Sequence, residues 1–259
     1  MSSPAGRLYL VPNTLDFATA GSAADIGELL PMRSLRIAAA LEHWVCENAK
    51  TTRAFLKRVD AVCPLSKPLQ ALAIVELPRP VKGRPADVGP GAAADIVALL
   101  APALAGHDLG LISEAGLAAL ADPGARLVEA AHAAGIGVVA LPGASAVSLA
   151  VAASGLDGQS FAFVGYVPSE AAARAVRLRE LEATSRQRAQ TQVMIETPYR
   201  NQALLDALVA SLQPRTLLAV SVGLTLASEF TRSGTIAQWR QAPAALPADV
   251  PAVFSILAR

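Results

Sequence analysis

Short apolar runs alternate with helical segments along the first half of the chain. A strand covered on both faces is continuously apolar, so buried strands are predicted at residues 8–11 and 108–112, and further strands at 43–46, 72–77 and 137–141. Helices are predicted between them, one of them at 95–105, and a proline-rich exposed loop is predicted at 78–91. Asn48 is predicted to cap one helix, and Asp122 another that has Pro123 at its first position. This order, with short connections, predicts a parallel, doubly wound sheet.

The second half mixes strand directions. Strands are predicted at 161–166, 192–195, 217–222 and 252–257, with helices at 171–188 and 201–211 and a hairpin through 228–235. A turn cluster at 155–159 separates the halves. The predicted fold is therefore α/β with two domains, 1–155 and 156–259, the first a mostly parallel doubly wound sheet and the second a mixed sheet.

Composition narrows the class of protein. Hydrophobic residues make up 53% and charged residues 17%, which excludes a disordered chain. The most apolar stretch, 141–156, is broken by proline, glycine and serine, so no membrane span is predicted. Neither the two cysteines nor the three histidines have metal-ligand spacing, so no metal is expected. Residues 1–6 do not resemble a signal peptide, and we expect a cytoplasmic protein.

The loops that follow strands are the places to look for a site, because open α/β sheets bind ligands beyond the carboxyl ends of their strands. Three such loops are rich in small residues: 12–14, 113–116 and 142–145. Glu114 could accept hydrogen bonds from a ribose or hold a cationic group, or be a solvated loop carboxylate. Arg200 could pair with Glu196 or face an anionic substrate. Dinucleotide-binding, phosphate-loop and nucleophile-elbow motifs are missing.

Together these loops resemble the tetrapyrrole (corrin/porphyrin) methylase superfamily, and within it the ribosomal RNA small-subunit methyltransferase I branch. The similar segments occur in the family's order along nearly the whole chain. They are Leu-Tyr-Leu-Val-Pro at 8–12, Cys-Glu-Asn-Ala-Lys at 46–50, Ser-Glu-Ala-Gly at 113–116 with Asp-Pro-Gly at 122–124, Leu-Pro-Gly-Ala-Ser-Ala at 141–146, Glu-Thr-Pro-Tyr-Arg at 196–200, and Leu-Thr at 224–225 before Gly-Thr at 234–235. The first loop, 13–17, has no glycine, and Glu114 stands where the family usually has aspartate.

The resemblance implies a methyltransferase that holds S-adenosylmethionine in a cleft between two domains, usually as a homodimer. It implies cofactor contacts from Pro12, Ser113, Glu114, Ala115, Gly116, Leu117, Ser145, Ala146, Ile195, Val222, Gly223 and Ala252. We place Glu47, Lys50 and Arg53 on the substrate side as a hypothesis, and no catalytic base is assigned.

Three functions remain open. The first is 2′-O-ribose methylation of ribosomal RNA, favoured by an arginine-rich segment at 174–188 whose alternative is a solvated helix face. The formal net charge of +1 argues against RNA binding by charge alone, although it allows a local basic patch. The second is methylation of a tetrapyrrole-like small molecule, although few aromatic residues are available for stacking. The third is a cofactor-binding protein that has lost turnover.

Overall fold

The structure, a computed structural model, describes residues 5–16, 25–78 and 90–259. By their internal contacts, the residues divide into two units, Met1–Ala144 and Ser145–Arg259. Most of a proline-rich loop expected at 78–91 lies outside the described residues, as does Phe17 at the end of the first loop. Each unit contains one five-stranded sheet.

Strand and helix alternate in the first unit. In chain order its elements are β1 (Arg7–Val11), α1 (Ile26–Leu29), α2 (Met32–Ala40), β2 (His43–Cys46), α3 (Ala49–Val62), β3 (Ala73–Glu76), α4 (Pro90–Ala98), α5 (Ala101–Leu104), β4 (Leu109–Ile112), α6 (Ala125–Ala133) and β5 (Gly137–Ala140). The sheet order is β3-β2-β4-β1-β5, and every neighbouring pair is parallel. The predicted parallel, doubly wound sheet is confirmed, and all five carboxyl ends lie at one edge.

Both faces of this sheet are covered. Alternate strand residues enter two apolar clusters, with Trp44 and Ile112 in one and Val45 and Leu111 in the other. All four residues of β4 are buried, as a strand with two covered faces requires. Gly110 lets the strand lie against Trp44, because a Cβ there would be 2.8 Å from the indole ring.

Two local predictions in this unit are wrong. The helix expected at 95–105 is two helices, since Pro102 lacks an N–H and falls in the first turn of α5. Asp122 does not cap a helix: α6 begins at Ala125, after Gly124 at φ 130°, with no side-chain cap. A Cβ at Gly124 would lie 2.9 Å from Leu111 Cδ2, so this tight turn requires glycine.

The second unit contains a mixed sheet, as predicted. Its elements are α7 (Ala146–Ser154), β6 (Phe161–Gly165), α8 (Ala171–Arg188), β7 (Thr191–Glu196), α9 (Asn201–Ser211), β8 (Leu217–Val222), β9 (Phe230–Thr235), α10 (Ile236–Gln241) and β10 (Ala252–Leu257). The sheet order is β6-β7-β10-β8-β9. Only β6 and β7 are parallel; the other neighbouring pairs are antiparallel.

Helix α7 packs within the second unit. Its N-cap Ser145 accepts a hydrogen bond from the Ser148 N–H, and Val151 lies in an apolar cluster with Val193 and Val253. Gly155 ends the helix in the left-handed conformation. The turn cluster at 155–159, at which we expected the domains to meet, therefore falls inside this unit, and the division lies one helix earlier. None of the helices in the described residues is long and apolar enough to cross a membrane.

Candidate functional site

Three loops of the first unit begin side by side at the carboxyl edge of its sheet. Ile112, the last residue of β4, is in register with Val11 of β1 and with Cys46 of β2. The loops that start with Pro12, Glu47 and Ser113 therefore lie next to one another. The parallel topology thus brings together residues that are far apart in the sequence.

The Asn13 side chain fastens the loop after β1 to the loop after β4. Its Nδ2 donates to the carbonyl oxygens of Ser113 at 3.2 Å and Glu114 at 2.9 Å, and its backbone N–H donates to Gly116 O at 2.8 Å. Asn13 is 6% exposed. These three bonds join the two loops into one rigid element. Sequence reasoning missed this role because the partners lie about a hundred residues away.

An ion pair holds the other side of the same first loop. The Thr14 hydroxyl donates to Asp16 Oδ1 at 2.6 Å, and Arg58 on α3 approaches Asp16 Oδ2 at 3.0 Å. The Asp16 side chain is 2% exposed, so the pair is shielded from solvent on the carboxylate side. The loop that lacks the family's glycine is therefore held by side chains instead. No motif in the sequence indicated Arg58.

Three carboxyl groups gather where β2 and β4 end: Glu47, Glu114 and Asp122. The Glu114 N–H donates to Glu47 Oε2 at 3.2 Å. The pKa of Asp122 is raised from 3.8 to about 6, by burial first and then by the charges of Glu47 and Glu114, against an opposing hydrogen bond from Ser113. Burial also raises the pKa of Glu47.

These carboxyl groups form an acidic site that favours a cationic ligand. Among the described residues, no salt bridge neutralises any of the three. Within that same part of the chain, no group of three or more His, Cys, Asp or Glu side chains is arranged to hold a metal ion. A ligand that brings positive charge, or hydroxyl donors, would relieve the mutual repulsion.

Small residues let the loops at this edge pack closely against one another. Gly143 lets the loop after β5 lie on Pro12, since a Cβ at Gly143 would be 2.2 Å from Pro12 Cβ. Gly116 takes a φ of +68° in the turn after Ala115. Ala115 and Leu117 are half-buried, whereas Pro12, Ser113 and Gly116 are buried.

Two of the residues assigned to the substrate side extend from the first turns of α3. Asn48 caps this helix through its side-chain oxygen, as predicted, and Glu47 precedes the cap. Lys50 and Arg53 are exposed, and Arg53 donates to Ala49 O at 3.3 Å. Both side chains therefore lie near the start of α3, which follows Glu47. Among the described residues, neither forms a salt bridge with Glu47, Glu114 or Asp122.

In the second unit the predicted contacts lie along one edge of the sheet. Ala252 begins β10 and is in register with Glu196 on one side and Val222 on the other. Gly223 follows Val222 at φ +61°. Ile195 and Ala146 belong to the same apolar cluster, so the start of α7, where Ser145 caps it, packs at this sheet. These residues are adjacent to one another within the unit.

Glu196 and Arg200 form an ion pair. The Arg200 NH2 lies 2.7 Å from Glu196 Oε1 and 2.8 Å from Oε2, and the Thr197 N–H donates to the same carboxylate at 2.7 Å. The Glu196 side chain is fully buried, and its hydrogen bond raises the pKa of Arg200. Of the two alternatives for Arg200, the structure therefore shows pairing with Glu196.

Comparison with known proteins identifies the family. The family model for tetrapyrrole (corrin/porphyrin) methylases matches residues 27–239. The chain is 32% identical over 229 residues to a ribosomal RNA small subunit methyltransferase I from Mesorhizobium japonicum, covering 88% of this chain and 67% of the relative. It is 41% identical over 97 residues to the protein of that name from Vibrio cholerae, covering 38% of this chain but only 32% of the relative.

Solved structures agree on the fold. A uroporphyrin-III C-methyltransferase from Thermus thermophilus, solved in complex with S-adenosylhomocysteine, superposes with a TM-score of 0.53 at 18% identity and covers 97% of each chain. The chain belongs to the tetrapyrrole (corrin/porphyrin) methylase family. It is a methyltransferase, and the family prediction made from its sequence is confirmed.

Proposed function

We propose that this methyltransferase uses S-adenosylmethionine to methylate a ribose 2′-oxygen of small-subunit ribosomal RNA. The assignment of the substrate rests on the similarity, along 88% of the chain, to a relative named ribosomal RNA small subunit methyltransferase I. A tetrapyrrole substrate has less support, because the structural neighbours named for it are 20% identical or less.

The acidic site suits this cofactor. S-adenosylmethionine carries a positive sulfonium and an ammonium group, and its ribose offers hydroxyl donors. Glu47, Glu114 and Asp122 supply uncompensated negative charge and hydrogen-bond acceptors at one sheet edge. We assign the first unit's contacts to Pro12 and residues 113–117. We assign the second unit's contacts to Ser145, Ala146, Ile195, Val222, Gly223 and Ala252.

The chain's part in the reaction is to position the acceptor and receive a proton. When bound, the cofactor supplies an electrophilic methyl group. That methyl group would pass to the ribose oxygen and the cofactor would leave as S-adenosylhomocysteine, while the proton of the ribose hydroxyl would go to a carboxylate of the chain. The three carboxyl groups are the proton acceptors available at this edge. Holding both reactants in line contributes roughly 7–11 kcal/mol in favourable cases. Glu47, Lys50 and Arg53 face the RNA in this proposal.

Two further properties belong to the proposal. The protein acts as a homodimer, and it works in the cytoplasm, where its RNA substrate is made. Light scattering coupled to size-exclusion chromatography tests the first property: twice the 26.6 kDa chain mass supports a dimer, and a single chain mass contradicts it.

Calorimetry with S-adenosylmethionine and S-adenosylhomocysteine tests the cofactor site. We expect one-to-one binding with a free energy near −8 kcal/mol, which is a micromolar Kd. Glu114→Gln removes a charged acceptor and weakens binding roughly 10- to 100-fold. Glu129→Gln, at an exposed position on α6 that pairs with Arg126 at 3.7 Å, is the matched control and leaves binding unchanged.

Methylation of small ribosomal subunits with a radiolabelled cofactor, followed by nucleoside mass spectrometry, tests the acceptor. A 2′-O-methylated nucleoside supports the proposal. No cofactor binding by the wild-type protein refutes the site. Binding without RNA methylation refutes the substrate and leaves the cofactor site intact.

A further inference from the structure

A groove of about 510 Å³ lies at the other edge of the second unit's sheet. Its lining residues are Glu182, Arg186, Gln213, Pro214, Arg215 and Arg259. Arg215 precedes the start of β8 and Arg259 follows the end of β10, where Leu217 and Leu257 are in register. Arg186 lies near the C-terminal end of α8. We call this the arginine groove.

None of the three arginines in the groove has a partner within the described parts of the chain. All three are exposed, and no hydrogen bond or salt bridge involves their guanidinium groups. Other arginines of the same unit are engaged: Arg200 pairs with Glu196, and Arg240 donates to backbone carbonyls of α9. The groove therefore presents planar cations that are exposed to solvent and available to a ligand.

The one acidic side chain among the groove's lining residues, Glu182, already accepts hydrogen bonds from the protein. Glu182 is 4% exposed and accepts from the Gln213 N–H at 2.8 Å and from the Thr216 hydroxyl. These bonds hold residues 213–216 against α8, and so they fix Arg215 beside Arg186. Three guanidinium groups against one engaged carboxylate leave the groove positively charged, although the whole chain carries a net charge of only +1.

We propose that the arginine groove binds the phosphodiester backbone of the RNA acceptor. This inference rests on the proposed function. Guanidinium groups bind phosphate oxygens bidentately, and several arginines around an open groove match a ligand with repeated phosphates. The six-residue strands β8 and β10 separate the groove from the Val222 and Ala252 edge by about 17 Å. A single small cofactor cannot touch both ends, whereas an RNA strand can.

The test compares an Arg186→Ala, Arg215→Ala double variant with Arg177→Ala. Arg177 is on the same helix but is engaged with Glu180 at 3.2 Å, so it is the matched control. Binding of a fluorescein-labelled single-stranded RNA and of intact small ribosomal subunits is measured across a salt series. Both substituted arginines are exposed, so the urea midpoint should stay that of the wild type.

We expect the double variant to bind RNA roughly tenfold more weakly at low salt. Its log Kd against log salt slope should fall by about 1.4, for two lost phosphate contacts on a single strand. Arg177→Ala should keep the wild-type slope. Unchanged RNA affinity and slope in the double variant overturn the proposal. The proposal is also overturned if the wild-type groove binds inorganic phosphate but the double variant binds RNA as the wild type does.

Cofactor calorimetry separates this inference from the proposed function. Normal S-adenosylmethionine binding by the double variant, together with lost RNA binding, supports a separate RNA site. If the wild type fails to bind the cofactor but its RNA binding still depends on Arg186 and Arg215, the cofactor site is refuted and the groove stands.

Discussion

Replacing Asp122 by asparagine removes a half-buried carboxyl group that lies beside two others. In the folded protein the pKa of Asp122 is raised from 3.8 to about 6, by burial first and then by Glu47 and Glu114. Because the folded pKa is the higher one, ionisation of Asp122 destabilises the fold. The stability that the neutral form provides is present below pH 4 and is lost as the pH rises through 6. Asparagine stays neutral throughout.

The size of the effect follows from the pKa difference. At 1.36 kcal/mol per pKa unit, a rise from 3.8 to about 6 sets an upper bound of about 3 kcal/mol. Asp122 is only partly buried, so solvent screening reduces this to about 1–2 kcal/mol. Between pH 4 and pH 8, the free energy of unfolding of the wild type should therefore fall by about 1–2 kcal/mol more than that of Asp122→Asn.

Urea unfolding at pH 4, 6 and 8, followed by tryptophan fluorescence, measures this difference. Trp44 is buried in the first unit, and a Trp239→Phe background removes the signal of the second. Asp249→Asn, in an exposed turn, is the matched control and should shift stability by less than about 0.5 kcal/mol at every pH. Identical pH dependence in Asp122→Asn and the wild type would refute the reasoning, because the three carboxyl groups would then not be crowded in solution.

Two further substitutions test the hydrogen bonds that shape the site. Asn13→Ala leaves the carbonyl oxygens of Ser113 and Glu114 without their buried donor. It should lower the free energy of unfolding, measured by urea titration, by about 2–3 kcal/mol, and should weaken cofactor binding. A change in unfolding free energy below about 0.5 kcal/mol contradicts the bridging role. Arg200→Ala leaves the buried Glu196 carboxylate without its cation and should lower the free energy of unfolding by about 3–5 kcal/mol. Glu196→Gln in the same chain should restore part of that loss, and equal loss in the single and double variants would contradict a charge effect.

Much of the fold could be predicted from the sequence because its signals are local. Helices at 171–188 and 201–211 have the predicted bounds, and both segments consist mostly of good helix formers. Continuous apolar runs identified the strands of the parallel sheet. The pattern failed where one residue changes the backbone, as Pro102 does in dividing a helix and Gly124 does in displacing the start of α6.

The site was harder to predict, because its parts meet only through the topology. Glu114 was recognised as a candidate because it follows a strand, and Glu47 because its segment resembles that of the family. Asn13 acquires its role from partners on a loop a hundred positions away, and Asp122 from Glu47 on another loop as well as from Glu114, and no spacing rule links such residues. Arg58 likewise reaches the first loop from a helix that begins more than thirty residues later.

The position of β1 sets the order in which this site can form during synthesis. The strand is made before both of its partners, β4 and β5, which end more than a hundred residues later. At about 5–20 residues per second, a ribosome leaves this apolar strand unpaired for on the order of ten seconds. The bonds from Asn13 to the loop after β4 can close only after that delay. Until then the emerging chain exposes an apolar strand whose backbone groups are unpaired.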